Sequence, residues 1–170
     1  MELTEGLLTR RSIRKYTGQE ISREQIETFL KAGMYAPSAN NEQPWHFIAV
    51  NQREILDKLM AAHPYASMLA GAKWAIIVCA DENLQKSKGY LAVDCAAATQ
   101  NILLAAHAQG VGSVWLGVYP REDRMAAIQK VLNLPVSIMP FSMISLGYPS
   151  EQKADPNRFK RERIHLNSWE

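Results

Sequence analysis

The pattern of hydrophobic and polar positions divides the chain into helices and strands that alternate along most of its length. Apolar residues at helical spacing predict helices over 2–10, 22–34, 53–62, 90–109 and 120–132. Short apolar runs between turn residues predict strands over 46–50, 74–80, 111–118 and 141–148. This alternation is typical of an α/β or α+β sandwich with four or more strands.

Local signals place the ends of several helices. Ser22 is a predicted N-cap, and Gln25 three residues later completes a capping-box pattern. Pro37 ends the same helix, and Gly110 is suited to the left-handed cap that closes the helix over 90–109.

Two segments are unusual in their polarity. The helix over 90–109 is apolar around its whole circumference, so it must be covered by its own domain or also by a second subunit. The last twenty residues are polar but carry Phe159, Ile164, Leu166 and Trp169, which predicts docking onto another surface. Their final part, "RIHLNSW", fits one further strand.

Composition excludes several classes of protein. A chain of 170 residues with 47% hydrophobic and 21% charged residues fits one globular domain over 1–170. The net charge of +2 is too small for general nucleic-acid binding. Cys79 and Cys95 lie in apolar runs and are predicted to be buried free thiols, which suits the cytoplasm. Neither a signal-peptide pattern nor an apolar run of about 20 residues is found, so no membrane segment is predicted.

Common catalytic motifs are missing from the sequence. The four histidines are scattered without metal-ligand spacing, so no metal site is predicted. The chain contains no nucleophile elbow, P-loop or dinucleotide fingerprint.

The segment "RRSIR" is the first candidate for chemistry. If the segment is extended, Arg10, Ser12 and Arg14 share one side and converge two guanidinium groups and a hydroxyl on one anion, for which phosphate is well matched. A solvated basic turn is the plainer interpretation of such a run.

Two further segments could contact a ligand. The loop "APSANNEQPW" (36–45) is rich in amide groups and stiffened by prolines, which suits a planar polar heterocycle, although for the loop alone a helix stop with turn residues is the plainer interpretation. The strand end "VWLGV" offers an uncluttered backbone at Gly117, although a strand bulge is the simpler account.

Taken in order, these segments resemble the nitroreductase family of flavin-dependent oxidoreductases. The matching segments are "RRSIRKY", "APSANNEQPWHFIAV", "DCAAATQNILLAAHAQGVGSVWLGVYP", "ISLGYP" and "NRFKRERIHLNSW". The resemblance implies an α+β three-layer sandwich with a central mixed or antiparallel sheet between helices. It also implies a homodimer with FMN at its interface, and a C-terminal arm (150–170) that extends onto the partner subunit.

The resemblance further implies a set of cofactor-binding residues. Arg10 and Ser12 would hold the FMN phosphate, with Arg11 contributing through its backbone or side chain, while Arg158 and, less directly, Arg161 are candidates for a second phosphate-binding cation. The partner's loop would supply Pro37, Ser38, Ala39 and Asn41. The backbone of Leu116 and Gly117 would approach flavin N5.

The resemblance also implies the reaction. NAD(P)H would give a hydride to flavin N5, and a nitroaromatic, quinone or similar small acceptor would then be reduced in a ping-pong cycle. Arg14 would lie near the pyrimidine end of the flavin, where a fixed cation stabilises the negative charge of the reduced state.

One departure from longer family members concerns substrate access. They carry an inserted helical segment after the long central helix, whereas here Gly110 is followed directly by the next strand. The loop over 61–73 could serve as a lid instead, with Tyr65 and Met68 over the flavin, or it could be plain surface packing.

Two other functions remain open at the level of sequence. A flavin-using relative could perform different chemistry, such as reductive dehalogenation or flavin fragmentation. Alternatively, the chain could be a non-catalytic FMN carrier or sensor.

Overall fold

Residues 1–169 are described by a computed structural model and form five α-helices and four β-strands. The helices are Leu3–Thr9 (α1), Arg23–Met34 (α2), Arg53–Ala61 (α3), Leu91–Ala108 (α4) and Glu122–Leu132 (α5). The strands are Trp45–Val50 (β1), Trp74–Asp81 (β2), Gly112–Gly117 (β3) and Ile138–Gly147 (β4). Every helix and strand predicted between residues 2 and 148 is confirmed.

Capping residues fix the helix ends as expected. The Ser22 hydroxyl accepts the Gln25 N–H at 3.2 Å, and the Gln25 side chain accepts the Ser22 N–H at 3.1 Å, so the capping box of α2 is complete. Gly110 follows α4 with φ +73°, the left-handed conformation in which glycine is favoured.

The four strands form one sheet in the order β1-β2-β4-β3, and every strand pair is antiparallel. Of the two sheet types expected, mixed and antiparallel, the sheet is antiparallel. The parallel pairing described in residues 1–169 is an isolated bridge between Ser12 and Ser113, outside the four strands. The register shift lies at Val78/Cys79 in β2, so the suggestion of a bulge at Gly117 is wrong. Gly117 is simply the last residue of β3.

Helices cover both faces of the sheet, which gives three layers. One core lies between the sheet and the α2–α4 pair and includes Phe29, Ile76 and Ile102. The second core lies on the opposite face and combines α3 and α5 with sheet residues such as Ile77 and Met143. Burying these side chains removes apolar surface from water on both faces, which is the main force that holds the layers together.

Both cysteines lie in these cores, and both are free thiols as predicted. Burial raises the pKa of each thiol to about 12, so neither is a reactive thiolate near neutral pH. Within residues 1–169, no helix is both long and apolar enough to cross a membrane.

The C-terminal segment differs from the prediction of a further strand. Residues 161–163 form a 3₁₀ turn, and the remainder of "RIHLNSW" forms no strand. The backbone N–H groups of Arg163 and Ile164 bond locally within this turn, and Asn167 has φ +67°, which interrupts an extended ladder. The segment therefore lies exposed along the single chain instead of joining the sheet.

Candidate functional site

The segment over 10–16 runs beside the outer edge of β3. The Ile13 N–H donates to the Ser113 carbonyl at 2.9 Å, and the Tyr16 hydroxyl donates to the Ile13 carbonyl at 2.8 Å. The Tyr16 ring lies so close to Gly147 that a Cβ at this glycine would stand 2.5 Å from the ring's Cγ. The basic run is therefore held in place by packing and hydrogen bonds, and is not a free solvated turn.

Arg10 and Arg158 lie near enough to each other for their charges to interact, and we call them the cationic pair. Burial, followed by the charges of Arg158 and Arg11, lowers the pKa of the Arg10 guanidinium from its ordinary value. Within residues 1–169, neither Arg10 nor Arg158 forms a salt bridge through its guanidinium. Neighbouring cations that repel each other and lack a carboxylate are the arrangement that an anion would stabilise.

The two other arginines predicted at the phosphate are placed differently. The Arg11 guanidinium donates to the backbone carbonyls of Leu8, Arg10 and Ala154 at 2.6, 2.9 and 3.2 Å, so it ties the N-terminal segment to the C-terminal arm. Arg161 lies exposed in the 3₁₀ turn and is not among the charges that act on Arg10. The structure brings Arg158 to Arg10, leaves Arg161 apart, and uses the Arg11 side chain internally.

Glu151 was not singled out from the sequence, yet it fixes the backbone of the basic run. One carboxylate oxygen accepts the N–H groups of Arg14 and Lys15 at 2.6 and 3.2 Å, and the other accepts from Lys153 at 2.7 Å. The hydrogen bond from Lys153 and then that from the Arg14 amide lower the pKa of Glu151 to about 2. The Arg14 side chain stays exposed above this fixed backbone.

Gly117 presents its backbone at the open edge of the sheet. In an antiparallel ladder the N–H and C=O of one residue point to the same side, and the side alternates along the strand. Because the Ser113 carbonyl points outward to Ile13, the N–H and C=O of Gly117, four residues on, also point outward. Apart from Gly117 itself and its two chain neighbours, no atom of residues 1–169 lies within 4 Å of where a Cβ on Gly117 would stand, so a ligand can approach closely.

Three side chains meet around the Gly117 carbonyl. His63, which is buried, donates from Nε2 to this oxygen at 2.9 Å, and Arg124 donates from Nη1 at 2.8 Å. The Arg124 guanidinium lies over the Tyr65 ring, 5.3 Å from its centroid. Of the two residues suggested as a lid, Tyr65 is exposed beside the strand end, whereas Met68 packs against the second core.

The amide-rich loop is held by contacts within the chain. Its backbone is contorted, with positive φ at Asn40, Asn41 and Gln43. The Ser38 hydroxyl accepts the Gln43 N–H at 2.9 Å, and the Asn41 side chain accepts from the Gln43 amide at 2.9 Å. The exposed Pro37 and the half-buried Ser38 and Ala39 are thus presented by a loop of defined shape.

Asp94, in the first turn of α4, supports this loop and was not identified from the sequence. Its Oδ1 accepts the Ala39 N–H at 3.1 Å, while its Oδ2 is buried and has no partner within residues 1–169. A carboxylate is favourable at this position because the helix N-terminus carries partial positive charge. Asp94 is therefore the group that joins the loop to the long apolar helix.

The amide-rich loop (36–45) and the segment that contains Arg10 and Ser12 lie at opposite edges of the sheet. The loop leads directly into β1, whereas Arg10, Ser12 and Gly117 lie along β3, and these strands are the two edges of the sheet. Three interstrand spacings of about 4.8 Å separate the edges by roughly 14 Å. One chain therefore does not bring all the predicted cofactor-binding residues together.

A cavity of about 720 Å³ opens near the end of β1 and the start of β2, at the end of the sheet away from Gly117. It is lined by Tyr16, Asn51 and Trp74, which lie near the end of β1 and the start of β2. Tyr16 ends the segment over 10–16 and lines this cavity, but Arg10, Arg158 and Gly117 do not, so the cavity is not the place where these candidate residues would meet a ligand.

Comparison with known proteins identifies the family. The sequence model of the nitroreductase family matches residues 7–89 and 61–148. A protein of Archaeoglobus fulgidus named "Putative NADH dehydrogenase/NAD(P)H nitroreductase" is 53% identical over 173 residues, covering 99% of each chain.

Two solved structures have the same fold. An FMN-dependent nitroreductase from Clostridium difficile R20291 superposes with a TM-score of 0.90 at 30% identity, covering 98% of this chain and 99% of that one. A structure from Desulfovibrio desulfuricans, described as a complex with FMN, has a TM-score of 0.86 at 29% identity, covering 99% and 98%. The agreement of sequence and fold over nearly the whole chain shows that this protein belongs to the nitroreductase family.

Proposed function

We propose that this protein is an FMN-dependent NAD(P)H oxidoreductase that binds its flavin along the outer edge of β3. The observation that carries the proposal is the Arg10–Arg158 pair, two interacting cations that form no salt bridge within residues 1–169 and that lie beside an extended segment containing Ser12. The relatives named as nitroreductases and the related structure described as a complex with FMN support the same cofactor.

The residues along this edge fit FMN at both ends. A phosphate would satisfy Arg10 and Arg158 and accept a hydrogen bond from the Ser12 hydroxyl. Farther along the edge, the outward N–H of Gly117 and the open space beside its Cα suit the edge of a planar ring. Bound FMN would supply the redox chemistry, because its N5 atom accepts hydride from NAD(P)H and its reduced form passes electrons to an acceptor.

The chain's own residues bind and orient the cofactor in this proposal. Arg10, Arg158 and Ser12 anchor the phosphate, while the outward N–H of Gly117 faces the reactive edge of the ring. The N–H and C=O of Leu116 point the other way, toward β4, so Leu116 does not contribute its polar backbone groups. Arg14 places a positive charge near the pyrimidine end, with its backbone fixed by Glu151. The cation favours the form of the flavin that carries negative charge there.

A homodimer would complete the site. The loop containing Pro37, Ser38, Ala39 and Asn41 lies at the opposite edge of the sheet from Arg10, so a second copy would have to bring the two together. Uncovered apolar residues support such an assembly: Val93 on α4 is 62% exposed, and Trp169 in the arm is 83% exposed. In the dimer the arm over 150–170 would extend onto the partner.

Small acceptors such as nitroaromatics and quinones fit a site that opens at a sheet edge, and donor and acceptor would use the same space in turn. Steady-state rates measured at several donor and acceptor concentrations should give parallel double-reciprocal lines, as expected for a ping-pong cycle. Lines that converge would show that both substrates are bound together, and would contradict the shared space.

The test of cofactor binding is direct. The purified protein should be yellow, release FMN on heating, and be bleached by NADH or NADPH when each is added anaerobically in a separate cuvette. Arg10→Ala should weaken FMN binding roughly 10-fold to 100-fold, since a charge-assisted hydrogen bond contributes about 1.5–3 kcal/mol. Lys15→Ala is the matched control and should bind FMN like the wild type. A colourless protein that takes up no FMN would refute the proposal.

A further inference from the structure

We propose that His63 is a positioning residue for the flavin site. Together with Arg124, it binds the Gly117 carbonyl, and this keeps the N–H of the same residue directed at the flavin ring. The proposal rests on the function proposed above, because it assigns residues to the flavin-facing edge of β3. Neither His63 nor Arg124 touches the cofactor in this proposal, and the sequence alone did not identify them as a pair.

The bonding of His63 defines its tautomer. Its Nδ1 accepts the Tyr65 N–H at 3.2 Å, so Nδ1 carries no proton. The proton of the neutral ring is therefore on Nε2, which donates to the Gly117 carbonyl at 2.9 Å. Both ring nitrogens of this buried side chain are used, and together they join the turn after α3 to the end of β3.

Arg124 supplies the second donor from another element. It reaches the same carbonyl at 2.8 Å from α5, and its guanidinium rests on Tyr65. Its Nε is buried and has no hydrogen-bond partner within residues 1–169. A buried donor without a partner costs free energy, so the bond to Gly117 and the contact with Tyr65 must offset that cost to keep the side chain in this position.

Two donors on one carbonyl matter because of what lies next to it. The Gly117 carbonyl and N–H point to the same open edge. An uncompensated carbonyl there would repel a flavin acceptor atom that the N–H is meant to bind. His63 and Arg124 offset the carbonyl's partial negative charge and hold the carbonyl oxygen in place, which leaves the N–H as the polar group available to a ligand.

The experiment uses the protein loaded with FMN labelled with ¹⁵N at N5, whose NMR chemical shift reports hydrogen bonding at that atom. His63→Leu should move the N5 signal toward the value for a flavin without a hydrogen bond, and should weaken FMN binding about threefold to tenfold, as for one hydrogen bond. His63→Gln keeps a donor near the Nε2 position and should restore both. His46→Leu, at the exposed edge strand β1, is the control and should change neither.

The outcomes separate the inference from the function on which it rests. An unchanged N5 signal in His63→Leu, with FMN bound as tightly as in the wild type, would overturn the positioning role and leave the proposed function standing. A His63→Gln variant as impaired as His63→Leu would also overturn it, because packing would then explain the loss. If His63→Leu does not fold, Arg124→Leu removes the other donor and should shift N5 in the same direction. A wild-type protein that binds no FMN would overturn both proposals.

Discussion

The carboxylate of Glu151 fixes the backbone of the basic run but leaves the Arg14 side chain free to act on a ligand. One oxygen receives two consecutive amides, so the peptide groups of Arg14 and Lys15 are held while their side chains stay exposed. The same division occurs at Gly117, where the carbonyl has partners and the N–H faces outward. At single residues, hydrogen bonds within the chain fix the backbone and leave the ligand-facing groups available.

The titration of Glu151 is the first prediction at this scale. Its pKa is lowered to about 2 from its ordinary value of 4.5, so the carboxylate contributes stability above about pH 4.5 that is lost as the pH falls toward 2. The amide NMR signals of Arg14 and Lys15 should therefore titrate near pH 2. In Glu151→Ala this titration should disappear. A midpoint near 4.5 in the wild type would contradict the hydrogen-bonded arrangement.

The second prediction concerns Arg14 and the potential of bound FMN. Removing a cation near the pyrimidine end should destabilise the reduced flavin, so Arg14→Ala should lower the midpoint potential. A charge interaction of about 1–4 kcal/mol corresponds to roughly 20–90 mV for a two-electron couple. Spectroelectrochemical titration measures the shift, with Lys15→Ala as the control. An unchanged potential would remove Arg14 from this role.

Close packing of elements places the cationic segment, and this gives a prediction at the scale of elements. Tyr16 lies against Gly147 at the end of β4, where a Cβ would stand 2.5–2.8 Å from three Tyr16 atoms. Gly147→Ala should therefore displace Tyr16, lower the free energy of unfolding by about 1–3 kcal/mol, and weaken FMN binding. Gly18→Ala, which has nothing within 4 Å, is the matched control and should stay within about 0.5 kcal/mol of the wild type. Chemical denaturation and FMN titration of both variants distinguish the two positions.

Local signals made most of the elements predictable, and long-range contacts account for the rest. The capping box of α2 and the glycine after α4 depend only on residues close in sequence, so both helix ends could be predicted. The start of β4 could not, because Pro140 argues against a central strand. The register shift at Val78/Cys79, opposite Pro140, accommodates this proline, and only the paired strand reveals it.

The same distinction holds within the candidate site. "RRSIR" could be recognised from its own residues, and the charge of Arg158 acts on Arg10 in the folded chain. Glu151, Asp94 and His63 could not be assigned, because their partners lie 137, 55 and 54 residues away along the chain. The last strand was predicted from composition alone, and composition does not provide a neighbouring strand with which to pair.

At the scale of the whole molecule, the sheet order determines what one chain can bind. The two edge strands carry different halves of the proposed flavin site, and two central strands separate them. A two-fold axis that brings the β3 edge of one subunit to the loop of the other would create two equivalent sites. Each subunit would then give its cations to one flavin and its amide-rich loop to the other.

Mixed dimers test this arrangement. Arg10→Ala should damage the cationic half of a site, and Pro37→Glu should place a charge in the exposed loop that forms the other half. In a reassembled equimolar mixture, half of the dimers contain one of each subunit, and each has one intact site, so about a quarter of all sites should bind FMN with wild-type affinity. Mixing Arg10→Ala with Arg158→Ala damages the same half in both subunits and should restore none. If the flavin site were formed within one chain, the first mixture would also restore none, and the interface proposal would fail while FMN binding by the wild type remained.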